Sequence, residues 1–349
     1  MLNNLLTVFC TTMVWRVGST AARAAPRVLG RRMQSQWKPA VEKGKMPAYD
    51  EALAFVQADS AAQRERLADA KKQPDVSPQL VDALEVASEI NLPEVRAAFL
   101  QGQGDLSRPV YRHLREQAWR LGGALDRLVE RATLMHILPD VVPSITFEAD
   151  LQVAFGTGAG IGDHGGSGGD VLPGVFLPVA STRDAPRITA TVFHPEERRY
   201  TLMLVDPDRP SEESESYETF VHWLVQDIPL SATQSSLPET LSEALPYIPP
   251  HPQQGTPYHR YTMLLFEQTQ PVQRSQVPRT PFQVSAFAEQ HGLELRGLHF
   301  WRAKWSTENR EAISSIYREV LDEAEPRYGY VPRQDKLKDV LGVRHSKYY

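Results

Sequence analysis

The stretch VDPDRPSEESESYETFVHWLV, residues 205–225, sets Asp206 and Asp208 on either side of a proline and places His222 inside an apolar run. A second stretch, GTPYHRYTMLLFEQ at 255–268, opens its apolar run with His259, Arg260 and Tyr261. Brought together at one end of a sheet, the carboxylates would raise the pKa values of the imidazoles, and two cationic histidines could hold a small anion. Prolines at 246, 249, 250, 252 and 257 are placed to shape a dry rim for such a site. The same residues admit two other chemistries. Ser211, His222 and Asp206 have the types of a nucleophile, base and acid, but no nucleophile elbow or oxyanion element accompanies them. His222, His259, Asp206 and Asp208 are metal ligands by type, whereas histidines on strands are more often hydrogen-bonded core residues.

Strands must position these side chains. Beyond residue 144 the chain breaks into short apolar runs, LQVAF, ITATV, RYTLMLVD, FVHWLVQDI, RYTMLLFEQ and LHFWRAKW, rich in β-branched and aromatic residues. Their connections hold Pro and Gly, and no helix recurs between them, which favours an antiparallel β-sandwich or barrel over a parallel α/β sheet. A last helix is expected from about Thr307 to Glu325. Upstream, residues 47–140 read as helical. Ser77–Pro78 caps one helix. Apolar residues from Val110 to Met135 recur at intervals of three and four, as one amphipathic helix or as two with a kink at Gly122–Gly123. The glycine-rich run 156–170 contains a G-x-G-x-x-G, but no strand–turn–helix unit surrounds it, so a surface insertion is the better reading.

Charge is distributed unevenly. The 349-residue chain has a net charge of -5, yet residues 1–45 carry eight Arg or Lys against one acid, which leaves about -12 on the rest. Such a body is no general polyanion binder, so any nucleic-acid contact must come from local patches. Residues 1–33 have the composition of a mitochondrial presequence, with spaced arginines and no acid, although a disordered basic arm has the same composition. Their apolar run is too short to span a bilayer. The single cysteine, Cys10, excludes a disulfide framework and a Cys-based zinc site. In the tail, Arg327, Arg333, Lys336, Lys338, Arg344 and Lys347 interleave with Tyr328 and Tyr330, a pattern fit for phosphate contact and base stacking, or for a solvated tail.

The linked motifs resemble the phosphatidylethanolamine-binding protein (PEBP) family. They are Asp206–Pro207–Asp208–Arg209–Pro210–Ser211, the strand from His222 to Ile228–Pro229, and Gly255 through His259–Arg260–Tyr261, in that order. The resemblance covers roughly 145–325. It implies a mainly β, PEBP-like antiparallel sandwich and an anion pocket built from Asp206, Asp208, His222, His259, Tyr261 and Tyr317. It favours an anion over a metal, and no cofactor is expected. One departure bears on the ligand: the run Glu212, Glu213, Glu215 and Glu218 stands where the family usually offers a basic residue. Near the mouth, each carboxylate would oppose a phosphate by roughly a kcal/mol.

The presequence, the helical segment and the basic tail, including PEVRAAFLQGQGDLSRPVYRHLREQAWR and ATLMHILPDVVP, lie outside the ordinary family pattern. Together they resemble the PEBP-like proteins of the mitochondrial large ribosomal subunit in their fungal form. That implies a structural, non-catalytic role at the central protuberance, with large-subunit rRNA and other mitoribosomal proteins as partners. The alternative is a PEBP-type regulator that binds a phospholipid headgroup or a phosphopeptide. The expected divisions are a presequence (1–33), an α-helical extension (34–143), a PEBP-like β domain (144–325) and a basic C-terminal tail (326–349).

Overall fold

The computed structural model describes residues 37–329, except 159, 162–167, 213, 239–241, 271, 273–276 and 327. The expected presequence, the centre of the glycine-rich run and the tail from Tyr330 onward lie outside the described residues.

The helical extension comprises α1 (Pro47–Lys71), α2 (Pro78–Glu89), α3 (Pro93–Leu100), α4 (Pro109–Leu121), α5 (Ala124–Leu134) and a single turn, α6 (Ile137–Asp140). Each of the first four opens on a proline, whose missing N–H costs nothing in a first turn. Ser77 accepts the Leu80 N–H at 3.3 Å, as its position predicts. The long amphipathic stretch is two helices: Gly123 takes φ 77°, a left-handed conformation that ends α4 and starts α5. Leu92, Val95, Val110, Tyr111 and Leu114 bury a small core of the extension's own.

All strand pairs within the two sheets are antiparallel. β1 (Ala149–Gly156), β2 (Gly168–Asp170) and β3 (Arg187–Val192) form a three-stranded sheet in the order β2-β1-β3. β4 (Arg198–Ser211), β5 (Ser216–Leu230), β6 (Ser242–Leu245), β7 (His259–Gln268) and β8 (Leu293–Ala303) form the second, in the order β6-β5-β4-β7-β8. The sandwich is thus the predicted fold. The run LMLV in β4, Leu202 to Val205, is apolar at every position because both of its faces are covered. Leu202 and Leu204 point into the core shared with β1 and β3. Met203 and Val205 point the other way, onto Leu128, Ala132 and Ile137 of the extension and Phe287 of α7 (Val284–His291). The last helix is shorter than expected: α8 spans Arg310–Ile316, and a π turn continues it to Leu321.

One side chain joins the extension to the sandwich. Arg260 donates from Nε and a terminal nitrogen to the two oxygens of Asp208 at 2.8 and 2.7 Å. Its other terminal nitrogen donates to the carbonyls of Met135 and His136 and to Asp140, at 3.1, 2.8 and 3.0 Å. The planar guanidinium matches a carboxylate on one edge and a helix end on the other. Arg260→Ala is expected to lower folding stability by about 3 kcal/mol, because it strands the Asp208 charge. Arg260→Lys should recover only part of that, since an ammonium cannot fork. Urea unfolding of the three proteins measures it.

Candidate functional site

Irregular strand pairing builds the site. Leu204 pairs with Trp223 while the next residue, Val205, pairs with Val221, so His222 is an extra residue in β5. A bulge of this kind re-aims one side chain. The His222 carbonyl is taken by the Ile248 N–H, and the Val221 N–H by the Arg279 carbonyl, so the displaced backbone stays paired. A second slip between Asp206 and Arg209 lets the Asp208 N–H turn back to the Asp206 carboxylate at 2.9 Å.

Asp206, His222, His259 and Tyr261 are all buried, in the grouping the motifs predicted. The His259 Nδ1–H donates to Asp206 Oδ2 at 2.7 Å, and Thr256 Oγ1 lies 2.8 Å from its Nε2. Burial works against the Asp206 carboxyl, but His259, nearby His222 and the Asp208 N–H together hold it below the usual carboxylate range. His222 differs. Its Nδ1–H donates to the Ile248 carbonyl at 2.8 Å, leaving Nε2 buried without a hydrogen-bond partner, 4.0 Å from Asp206 Oδ2. Burial, with His251 beside it, pushes its pKa down to about 3. The expectation of a cationic His222 is therefore wrong: at this depth desolvation outweighs the attraction of Asp206. His251 is likewise held down at about 4 by burial. Its ring lies 5.0 Å from that of His222 and 5.3 Å from that of Tyr317, centre to centre.

The deep site is rich in acceptors. The Asp206 carboxylate, His222 Nε2 and the unpartnered Gln253 Oε1 all carry lone pairs, and the Tyr261 hydroxyl lacks a well-formed hydrogen bond. That set suits a ligand that donates hydrogen bonds better than a phosphate. Asp208 faces away from the site and is consumed by Arg260. Ser211 lies five residues along β4 from Asp206, about 16 Å in an extended strand, so the three residues of a hydrolytic set do not meet. Among the described residues no cluster of three or more His, Cys, Asp or Glu could hold a metal.

Residues 164–301 match the family model for phosphatidylethanolamine-binding protein. The chain carries a PEBP domain. Beyond it, the chain is 27% identical to the Large ribosomal subunit protein mL38 of Schizosaccharomyces pombe, over 72% of this chain and 82% of that protein. It is 38% identical to the rice protein MOTHER of FT and TFL1 homolog 2, over 29% of this chain and 58% of that protein. Among solved structures, phosphatidylethanolamine-binding protein from Plasmodium vivax aligns with 51% of this chain and 97% of its own, at 22% identity and a TM-score of 0.39.

In this PEBP domain the rim is partly made by the segment that follows the last helix. Ser314 donates to Glu325 at 2.6 Å, and the Tyr328 N–H donates to the Gln254 carbonyl at 2.8 Å. The Tyr328 carbonyl oxygen sits 1.8 Å from where a Cβ on Gly255 would be. Glu212 and Glu215 share with Gly255, Thr256 and Tyr328 a cleft of about 450 Å³ at the hairpin tip. Of the eight tail residues expected to touch RNA, Tyr328 alone lies among the described residues, and its backbone is spent on this rim. Glu213 lies outside them. His251, Gln253 and Thr256 escaped the sequence reading. A histidine between Pro250 and Pro252 was the available signal, since prolines fix the backbone that aims it.

His222, His251 and His299 have pKa values lowered to about 3, 4 and 4, whereas unfolded histidine titrates near 6.5, so the unfolded chain takes up protons first. Stability should be complete above that ordinary value and fall as pH drops towards 4, by about 2 kcal/mol per ring between pH 7.5 and 5. Urea midpoints at the two pH values test it, and His299→Gln should remove about a third of the loss. Gly255 has φ 95° and no room for a Cβ. Gly255→Ala should destabilise the full chain, but in a chain ended after Glu325 by only the backbone strain of about 1 kcal/mol. Equal losses in both backgrounds would refute the packing of Tyr328 on Gly255.

Proposed function

We propose that this protein is a non-catalytic structural constituent of the mitochondrial large ribosomal subunit, placed in the matrix by its presequence and seated at the central protuberance against rRNA and neighbouring proteins. The observation that carries this reading is the extent of the likeness to the Schizosaccharomyces pombe protein. It takes in 72% of this chain, more than residues 164–301 can hold, so it extends beyond the PEBP domain. A PEBP domain used only for ligand binding has no need of the extension. Here the extension shares a core with the domain's second sheet and is bolted to it through Arg260.

The pocket supports the same reading. Its histidine at 222 is neutral and a carboxylate lies buried within it, while Glu212 and Glu215 line the cleft at the hairpin tip. Such a network fixes a unique packing of β4, β5 and β7 and offers little to a phosphate. No helix among the described residues is long and apolar enough to cross a membrane.

Sedimentation of a mitochondrial lysate through a high-salt sucrose gradient tests the proposal. The protein is expected to travel with the large subunit, and its recovery solely from the light fractions would overturn the reading. Titration calorimetry with phosphoethanolamine tests the alternative. No saturable heat is expected; saturable binding that His259→Ala abolishes would instead establish a headgroup-binding regulator.

A further inference from the structure

The loop Gly174–Leu177 runs beside β8 and is fixed to it. The Arg302 N–H donates to the Val175 carbonyl at 2.8 Å, the Leu177 N–H donates to the Arg302 carbonyl at 2.9 Å, and Arg302 Nε donates to the Gly174 carbonyl at 2.8 Å. This arrangement presents Phe176 at the surface. Tyr258, just before the first residue of β7, meets it edge to face, with ring centres 5.8 Å apart. Both rings are exposed, Phe176 at 45% and Tyr258 at 41%. The Arg302 guanidinium lies 4.1 Å from the Phe176 ring centre and 5.2 Å from that of Tyr258, and Lys304 Nζ lies 5.7 Å from the former.

Two features separate this cluster from ordinary surface. Arg302 and Lys304 form no ion pair with any described residue, although the body of the chain has acid in excess and half-buried arginines such as Arg260 and Arg296 are paired with carboxylates. Two large aromatic rings also stay in water although the backbone on both sides of Phe176 is hydrogen-bonded to β8. Exposed rings held in fixed orientation beside unneutralised cations complement a planar, anionic partner, because a base stacks on the ring while its phosphate pairs with the cation. We infer that Phe176, Tyr258, Arg302 and Lys304 form a stacking site for an unpaired RNA nucleotide, a contact that rests on the ribosomal reading above and gives the folded domain its own hold on RNA, apart from the basic tail.

The test uses the purified full chain and a fluorescent ten-nucleotide single-stranded RNA. Tyr258→Ala is expected to weaken binding at least fivefold, the least that loss of one stacked base brings. Lys304→Gln should lower the slope of log affinity against log salt by about one. Both positions are exposed, and an unchanged circular dichroism spectrum shows that each variant is folded. Binding equal to wild type in both folded variants overturns the assignment. A photoreactive residue at position 258, activated in intact large subunits, should give RNA adducts; adducts to protein alone would mark a protein interface and also overturn it. The two readings fail separately. A protein that sediments with the large subunit but whose variants bind normally loses only the stacking site. One that never sediments with it, yet loses RNA affinity on Tyr258→Ala, loses only the ribosomal role.

Discussion

The Arg260 guanidinium satisfies Asp208 on the Asp–Pro–Asp strand, the carbonyls at the end of α5 and Asp140 on the following turn, all through one rigid fork. The neighbouring side chains on its own strand, His259 and Tyr261, point the opposite way, into the buried site. Strand alternation therefore divides one short motif into two jobs. Odd positions build the pocket, and Arg260 clamps the helical extension over the other face of the same sheet. The extension needs such a clamp, because its own core is small and cannot hold its orientation unaided.

Inside the sandwich, depth governs chemistry. Asp206 stays charged because a histidine, a second imidazole nearby and a backbone N–H all favour its ionised form. His222 and His251 become neutral because nothing around them repays the loss of water. A site with one fixed negative charge and several lone pairs is poorly suited to phosphate. Its polar groups instead hold β4, β5 and β7 in a single arrangement. Two cations without carboxylate partners, Arg302 and Lys304, lie at the end of β8 beside exposed rings.

Much of this was legible in the chain. The short runs rich in β-branched and aromatic residues, their Pro and Gly connections and the three linked motifs marked the sandwich and gathered Asp206, His222, His259 and Tyr261 in advance. The four-residue β6, with its polar Ser242 and Glu243, was missed because so short an edge strand leaves no periodic signal. α7 was missed for a related reason, since eight residues give barely two turns of pattern. His251 carried only its proline neighbours as a clue. The Phe176–Tyr258–Arg302–Lys304 cluster had none, because its members are scattered over more than a hundred positions and only sheet pairing brings them together.

What the sequence determined by itself was local and periodic: where helices start, where strands run, and which residue types recur at fixed offsets. These depend on neighbours along the chain. The tertiary structure alone decided the protonation of the histidines and the division of labour between Asp206 and Asp208. It also decided which arginines are neutralised. Each of those depends on burial and on partners distant in sequence, and the energy of a charge is set by the medium and the groups around it rather than by its place in the chain.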